Sequence, residues 1–158
     1  MRFQDQIIEE TRRAADEAFR YAAGTPDDKL SWQPLELGRS VLDQAQELAK
    51  CPDWAYILVS GAEMPEQNEE SMEAYKAEIS SWDTIEKCKA ACDERLEKLF
   101  TLYRELPDAR LLETKWLPYG GGKDFSMEEM MDYPRWNFNY HAGQIAYIQT
   151  LYGDREMY

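Results

Sequence analysis

The stretch SMEEMMDYPRWNFNYHAGQIAYIQTLYG, residues Ser126 to Gly153, decides the fold. It opens on Ser126 with Glu129 three residues later, a capping-box pattern in which each side chain satisfies a free backbone N–H of the first turn. Apolar residues then return every three or four positions, the period of an α-helix, until Gly153 closes the run after Tyr152. Pro134 lies inside and predicts a kink, because proline removes a backbone donor and crowds the preceding turn. Asn137 and His141 stand four apart, on the face that carries Ile145 and Ile148. Polar groups on an apolar face point inward, so this helix packs against partners that must answer them.

Three more segments carry the same period. Phe3 to Ala23 places Phe3, Ile7, Ala14, Ala18 and Tyr21 on one stripe and stops at Gly24-Thr25-Pro26. Leu30-Ser31-Trp32-Gln33-Pro34 follows as a connector with an aromatic anchor. Ser40, with Asp43 three residues on, predicts the N-cap of a second helix that buries Val41, Ala45, Leu48, Ala55 and Leu58, with a kink or restart at Pro52. Gly61 to Ser80 is polar and acidic, and predicts a long crossover with a short helix from Ser71 to Ile79. A third helix is predicted to open at Asp83 with Glu86 completing a capping box, and to bury Ile85, Cys88, Cys92, Leu96, Leu99 and Leu102 before Leu106-Pro107. Between Leu111 and Phe125, β-formers flank Gly120-Gly121-Gly122, a small hairpin or an extended loop. These elements predict a single all-α domain over residues 1–158: a four-helix bundle with a long crossover between its second and third helices.

Composition bounds the function. At 158 residues, 44% apolar and 13% aromatic, the chain can bury a core without disulfides or metals as staples. Asp and Glu number 31 against 18 Lys and Arg, a formal charge of −13. That balance argues against phosphate backbones and anionic lipid, so neither nucleic acid nor membrane is expected as a partner. No apolar run approaches the roughly 20 residues of a membrane helix, and the first residues lack a signal-peptide core. Cys51, Cys88 and Cys92 form no C-x-x-C pair and read as small core residues of a reducing compartment, the cytoplasm by default.

Two apparent motifs fail. Gly120-Gly121-Gly122-Lys123 lacks the Ser or Thr and the spacing of a phosphate-binding loop, and no Gly-x-Ser-x-Gly occurs. Chemistry therefore centres on His141, the only histidine. On the second helix Glu47 lies on the flank of the core stripe, aligned with Gln44, Cys51 and Trp54. A carboxylate facing an amide and an imidazole across two helices can hold a metal. It can equally form a buried ion pair or plain hydrogen bonds.

The order Trp32-Gln33-Pro34, Ser40-Val41, a helical position seven after that serine, and His141-Ala142-Gly143-Gln144-Ile145 resembles the DinB-like superfamily over nearly the whole chain. The resemblance implies an up-down-down-up bundle, often a homodimer, with a metal cleft between helices. That family typically uses three histidines, one seven after the serine and two in a His-x-x-x-His pair. Carried over, those positions are Glu47, Asn137 and His141, so one imidazole is kept. The harder donor set moves preference from zinc or nickel toward manganese, iron or magnesium, or leaves the site without a cofactor. The implied activity is thiol S-transfer or a hydrolase-like reaction on a small molecule, with Tyr140 and Gln144 orienting the substrate or thiol. The alternative is a non-catalytic bundle with a degenerate metal site, serving as a dimeric scaffold or small-ligand binder.

Overall fold

The structure, a computed structural model, describes residues 1–158. It is mostly helical: five α-helices and one two-stranded sheet. Helix α1 spans Phe3–Ala23 and turns Ile7, Ala14, Ala15, Ala18 and Ala22 inward, small residues that let neighbouring backbones approach. Phe3 and Tyr21, expected on that stripe, are only partly buried at its edge.

Helix α2 spans Val41–Ser60 and begins as predicted, with the Ser40 hydroxyl accepting from the Asp43 N–H at 3.1 Å. It runs through Pro52 as one helix instead of restarting. Proline leaves the Leu48 carbonyl, four residues earlier, without its usual donor. The Cys92 thiol lies 3.6 Å from that oxygen and supplies a weak replacement from the next helix.

The crossover helix α3, Glu69–Ser80, starts two residues earlier than Ser71 because Asn68 caps it, with Ser71 closing a reciprocal box. It buries no residue. Charge holds it instead: Lys50 lies 2.6 Å from Glu78 and 2.8 Å from Asp53, while Arg95 bridges Glu78 and Asp53 and stacks on Trp82. Helix α4 spans Ile85–Glu105 and its cap corrects the sequence reading. Thr84, not Asp83, caps it by accepting from the Lys87 N–H at 3.2 Å, and Asp83 pairs with the Lys87 ammonium. The capping hydroxyl must sit three residues before its N–H, and here the later candidate takes that place.

Strands β1, Thr114–Leu117, and β2, Lys123–Ser126, pair antiparallel with Thr114 opposite Ser126, so the glycine-rich segment makes a hairpin. Gly122 has φ of 84°, and a Cβ there would stand 2.7 Å from the Trp116 ring, so only glycine closes this turn without displacing the tryptophan. Helix α5, Met127–Leu151, opens on the predicted Ser126–Glu129 box and continues through Pro134. Helix α1 packs on α4 and α5, and α2 packs on the same two helices. Their buried apolar residues, with Leu106 and Leu117, form one cluster of 31. At its centre Tyr103 is fully buried and donates to the Met131 carbonyl at 2.9 Å, in the turn ahead of Pro134. No helix is long and apolar enough to cross a membrane.

Candidate functional site

Helices α2 and α5 pack side by side, and the residues with chemistry face each other across that seam. His141 is 2% exposed and both its ring nitrogens are engaged. Nδ1 lies 2.8 Å from Gln44 Oε1 and Nε2 lies 3.0 Å from Glu47 Oε1. An amide oxygen only accepts, so Nδ1 carries a proton and Nε2 is turned to the carboxylate. A ring protonated on both nitrogens satisfies both acceptors; a ring protonated once presents an Nε2 lone pair to Glu47.

The other Glu47 oxygen accepts from the Arg39 guanidinium, which also donates to Asp43 at 2.6 Å. The hydrogen bond from His141, reinforced by Arg39, holds the Glu47 carboxyl at about 2, well below its ordinary value and against the opposing effect of burial. Glu47 is therefore an anion at neutral pH. Arg39 is raised further above its already high value by its bond to Asp43, then by Glu47. The Glu47 side chain is 37% exposed against 3% for His141. The carboxylate faces the cleft and the imidazole supports it from behind.

That cleft encloses about 950 Å³. Arg39, Glu47, Trp54 and Leu58 form one wall; Tyr133, Trp136, Asn137, Tyr140, His141 and Gln144 of α5 form the other; Leu117, Tyr119 and Phe125 of the hairpin close one end. Its size and its mostly apolar wall with a few convergent polar groups are those of a small-molecule site. Trp136 and Tyr140, one turn apart, stack with centroids 5.3 Å apart at 16°, and Tyr140 meets the His141 ring edge-on.

All five residues that the sequence singles out line this cleft. Glu47 and His141 are in direct contact. Asn137 is buried beside Cys51 but its Nδ2 has no hydrogen-bond partner. Tyr140 is half exposed at the mouth, and Gln144 has its Oε1 shielded from water and unpartnered. Two participants were missed. Gln44 was seen only as a neighbour of Glu47 on the helix, and its spacing three residues before Glu47 is the signal that marks it. Arg39 precedes the helix and its signal is the i, i+4 spacing to Asp43.

No group of three or more His, Cys, Asp and Glu side chains is placed to hold a metal ion together. Glu47, Asn137 and His141 offer two strong donors and one neutral amide, with a guanidinium already on the carboxylate. That set fits a firmly bound dication poorly, since the ion would share one negative charge with Arg39. The cysteines are not nucleophiles in this state: burial pushes the Cys51 and Cys88 thiols up to about 12 and Cys92 well above its ordinary value.

No protein-family model matches the chain, and no curated protein matches it in sequence. Solved structures do. The colibactin self-resistance protein ClbS, solved in complex with a dsDNA, superposes with a TM-score of 0.64 at 11% identity, over 93% of this chain and 95% of that one. A protein from Streptococcus pneumoniae, solved by a structural genomics consortium, gives 0.63 at 10% identity, over 94% and 92%. At these identities the likeness is one of fold. It also corrects one expectation. Excluding nucleic acid from the overall charge does not stand, because a protein of this fold is held on duplex DNA. Net charge sums the whole surface, whereas a DNA contact depends on the sign of one face.

Proposed function

We propose that the chain is a small-molecule enzyme of DinB-like type, working in the cleft between α2 and α5 by proton transfer at the Glu47–His141 pair, in a hydrolase-like or group-transfer reaction. One observation carries this reading: a carboxylate and an imidazole 3.0 Å apart, with the ring fixed by Gln44, on the wall of an aromatic cleft. A base whose second nitrogen is oriented by a third group is the arrangement that general acid–base catalysis uses. Glu47, held as an anion, and the His141 Nε2 that faces it would exchange a proton with a substrate in the cleft. Tyr140 and Gln144 would orient that substrate from α5.

A competing reading places a divalent ion (manganese, iron, nickel or zinc) between Glu47, Asn137 and His141. The pinning of Nδ1 by Gln44 favours it, since metal-bound histidines donate their other N–H to such an acceptor. Duplex DNA, the partner in the ClbS structure, is a candidate partner for this chain as well, and a labelled duplex titrated at several salt concentrations measures it.

The deciding experiment screens small aromatic esters, amides and epoxides, with and without an added thiol, for conversion by protein stripped of metal. Conversion by wild type, lost in Glu47→Gln and in His141→Gln while both variants stay folded, is the expected outcome. Conversion that vanishes on chelation and returns with manganese or zinc carries the metal reading instead. Compounds that bind but are never converted would reduce the cleft to a binding site.

A further inference from the structure

The charges around the cleft do not balance. Its wall carries one fixed cation, Arg39, against three carboxylates, Glu47, Glu129 and Asp132. Their ion-pair partners restore nothing. Arg39 holds Asp43 as well as Glu47, Lys123 lies 2.8 Å from Glu129, and Arg135 is shared between Asp132 and Glu10. Followed outward through every pair, three cations (Arg39, Lys123 and Arg135) meet five anions. Two negative charges are left over beside a neutral His141, and one beside an imidazolium. The low dielectric of the walls concentrates that excess in the cleft, and the net charge of the whole chain has the same sign.

The walls select the kind of cation. Six aromatic rings border the space: Trp54, Tyr119, Phe125, Tyr133, Trp136 and Tyr140. Ring faces are the negative part of an aromatic side chain and attract cations. They cannot replace the water shell of a small metal ion, but they suit an alkylated ammonium, which is weakly hydrated. Arg39 on Glu47 sharpens the choice, because it repels a dication twice as strongly as a monocation. The hairpin end of the cleft already makes such a contact. The Lys123 ammonium stands 4.4 Å from the Phe125 centroid and 2.8 Å from Glu129, and both of its partners line the cleft. A ring face beside a carboxylate therefore holds an ammonium in this protein. The same two groups recur deeper in, where Glu47 of α2 stands across from Tyr133, Trp136 and Tyr140 of α5.

We infer that the cleft takes small organic monocations, molecules with a quaternary or alkylated ammonium group that lies against its aromatic wall. This rests on the small-molecule reading of the cleft and names its substrate class. The test uses three probes of nearly one shape: choline, its uncharged carbon isostere 3,3-dimethylbutan-1-ol, and the anion 3,3-dimethylbutanoate. Binding is read by NMR titration and by tryptophan fluorescence, to which Trp54 and Trp136 contribute from the wall. Choline is expected to bind about tenfold tighter than the alcohol, and the anion weakest. Added sodium chloride should shrink the preference for choline and leave the alcohol unchanged.

Two variants move the charge in opposite directions. Lys123→Met removes the resident ammonium from Phe125 and Glu129, so choline should bind about threefold tighter or better. Asp132→Asn removes one lining carboxylate and should weaken choline by a similar factor. Neither should change the affinity for the alcohol, and circular dichroism checks that both are folded. Equal binding of choline and the alcohol, or tighter binding of the anion, would overturn this inference and leave the small-molecule cleft standing. A choline preference that neither variant moves would overturn it too, because the charge responsible would lie outside the cleft. No binding by any of the three would remove both readings.

Discussion

Replacing Glu47 by Gln tests the electrostatics of the site most directly. The carboxyl is held at about 2 against 4.5 unperturbed, first by the bond from His141 and then by Arg39. A folded-state value below the unfolded one means stability that is present above about pH 4.5 and lost as pH falls toward 2. The difference, 4.5 minus 2, is 2.5 pH units, or at most about 3.4 kcal/mol at 1.36 kcal/mol per unit. The side chain is 37% exposed, so solvent screening reduces this to roughly 1–2 kcal/mol. For a chain of this length that is about 2–8 °C in melting temperature. The assay is urea unfolding of wild type and Glu47→Gln at half-unit steps from pH 7 to pH 2. Other carboxylates titrate in both proteins and cancel in the difference. The stability gap should be flat above pH 5 and close progressively below pH 4.5. A gap that stays constant down to pH 2 would show that Glu47 is not held by charge, and the account of the pair would fail.

Three further outcomes follow from named contacts. Gln44→Leu removes the acceptor for His141 Nδ1 and leaves that N–H buried, so it should cost about 1–3 kcal/mol in urea unfolding; no loss would mean that Gln44 does not orient the ring. The three cysteines are buried with raised thiol values, so a thiol-reactive dye at pH 8 should label the folded protein at under a hundredth of its unfolded rate, and fast labelling of any one would contradict that burial. Glu78→Ala removes the carboxylate that Lys50 and Arg95 share, so hydrogen exchange should accelerate about tenfold or more in α3 while α4 stays protected; uniform acceleration would mean that α3 is not a separate, charge-held unit.

Elements set by local chemistry were legible in the sequence. The Ser40 and Ser126 caps, the hairpin around the glycines and the inward face of α5 each depend on residues within four positions of one another. The cap of α4 was misread because Asp83 and Thr84 are both good N-caps, and adjacency left the choice to geometry. Pro52 was read as a kink or restart, and the helix does not restart there because the compensation is remote: the thiol that answers Leu48 lies 44 residues away. The site divides the same way. Asn137 and His141 were placed by their spacing, and Glu47 by its flank position. Arg39 reaches Asp43 and Glu47 only four and eight residues on, and was overlooked although its contacts are local. Gln44 acquires its role only when α2 is set against α5, since Gln44 and His141 are 97 residues apart. Inter-helix register is not written in any one helix.

Arg39 is what separates the two chemistries open to this cleft. A carboxylate with one free oxygen and a facing imidazole could collect a dication, but here the second oxygen is bound to a guanidinium that also holds Asp43. A metal at the Glu47–His141 contact would meet a fixed positive charge on the far side of the same carboxylate, and low dielectric strengthens that repulsion. A proton in the same place meets less of that repulsion, because it carries one charge instead of two and is shared by both partners. Removing Arg39 should therefore move the site toward metal: Arg39→Leu should bind zinc or manganese at least tenfold more tightly than wild type, read by calorimetry at pH 7. Unchanged affinity, with the variant folded, would show that the guanidinium does not set the choice.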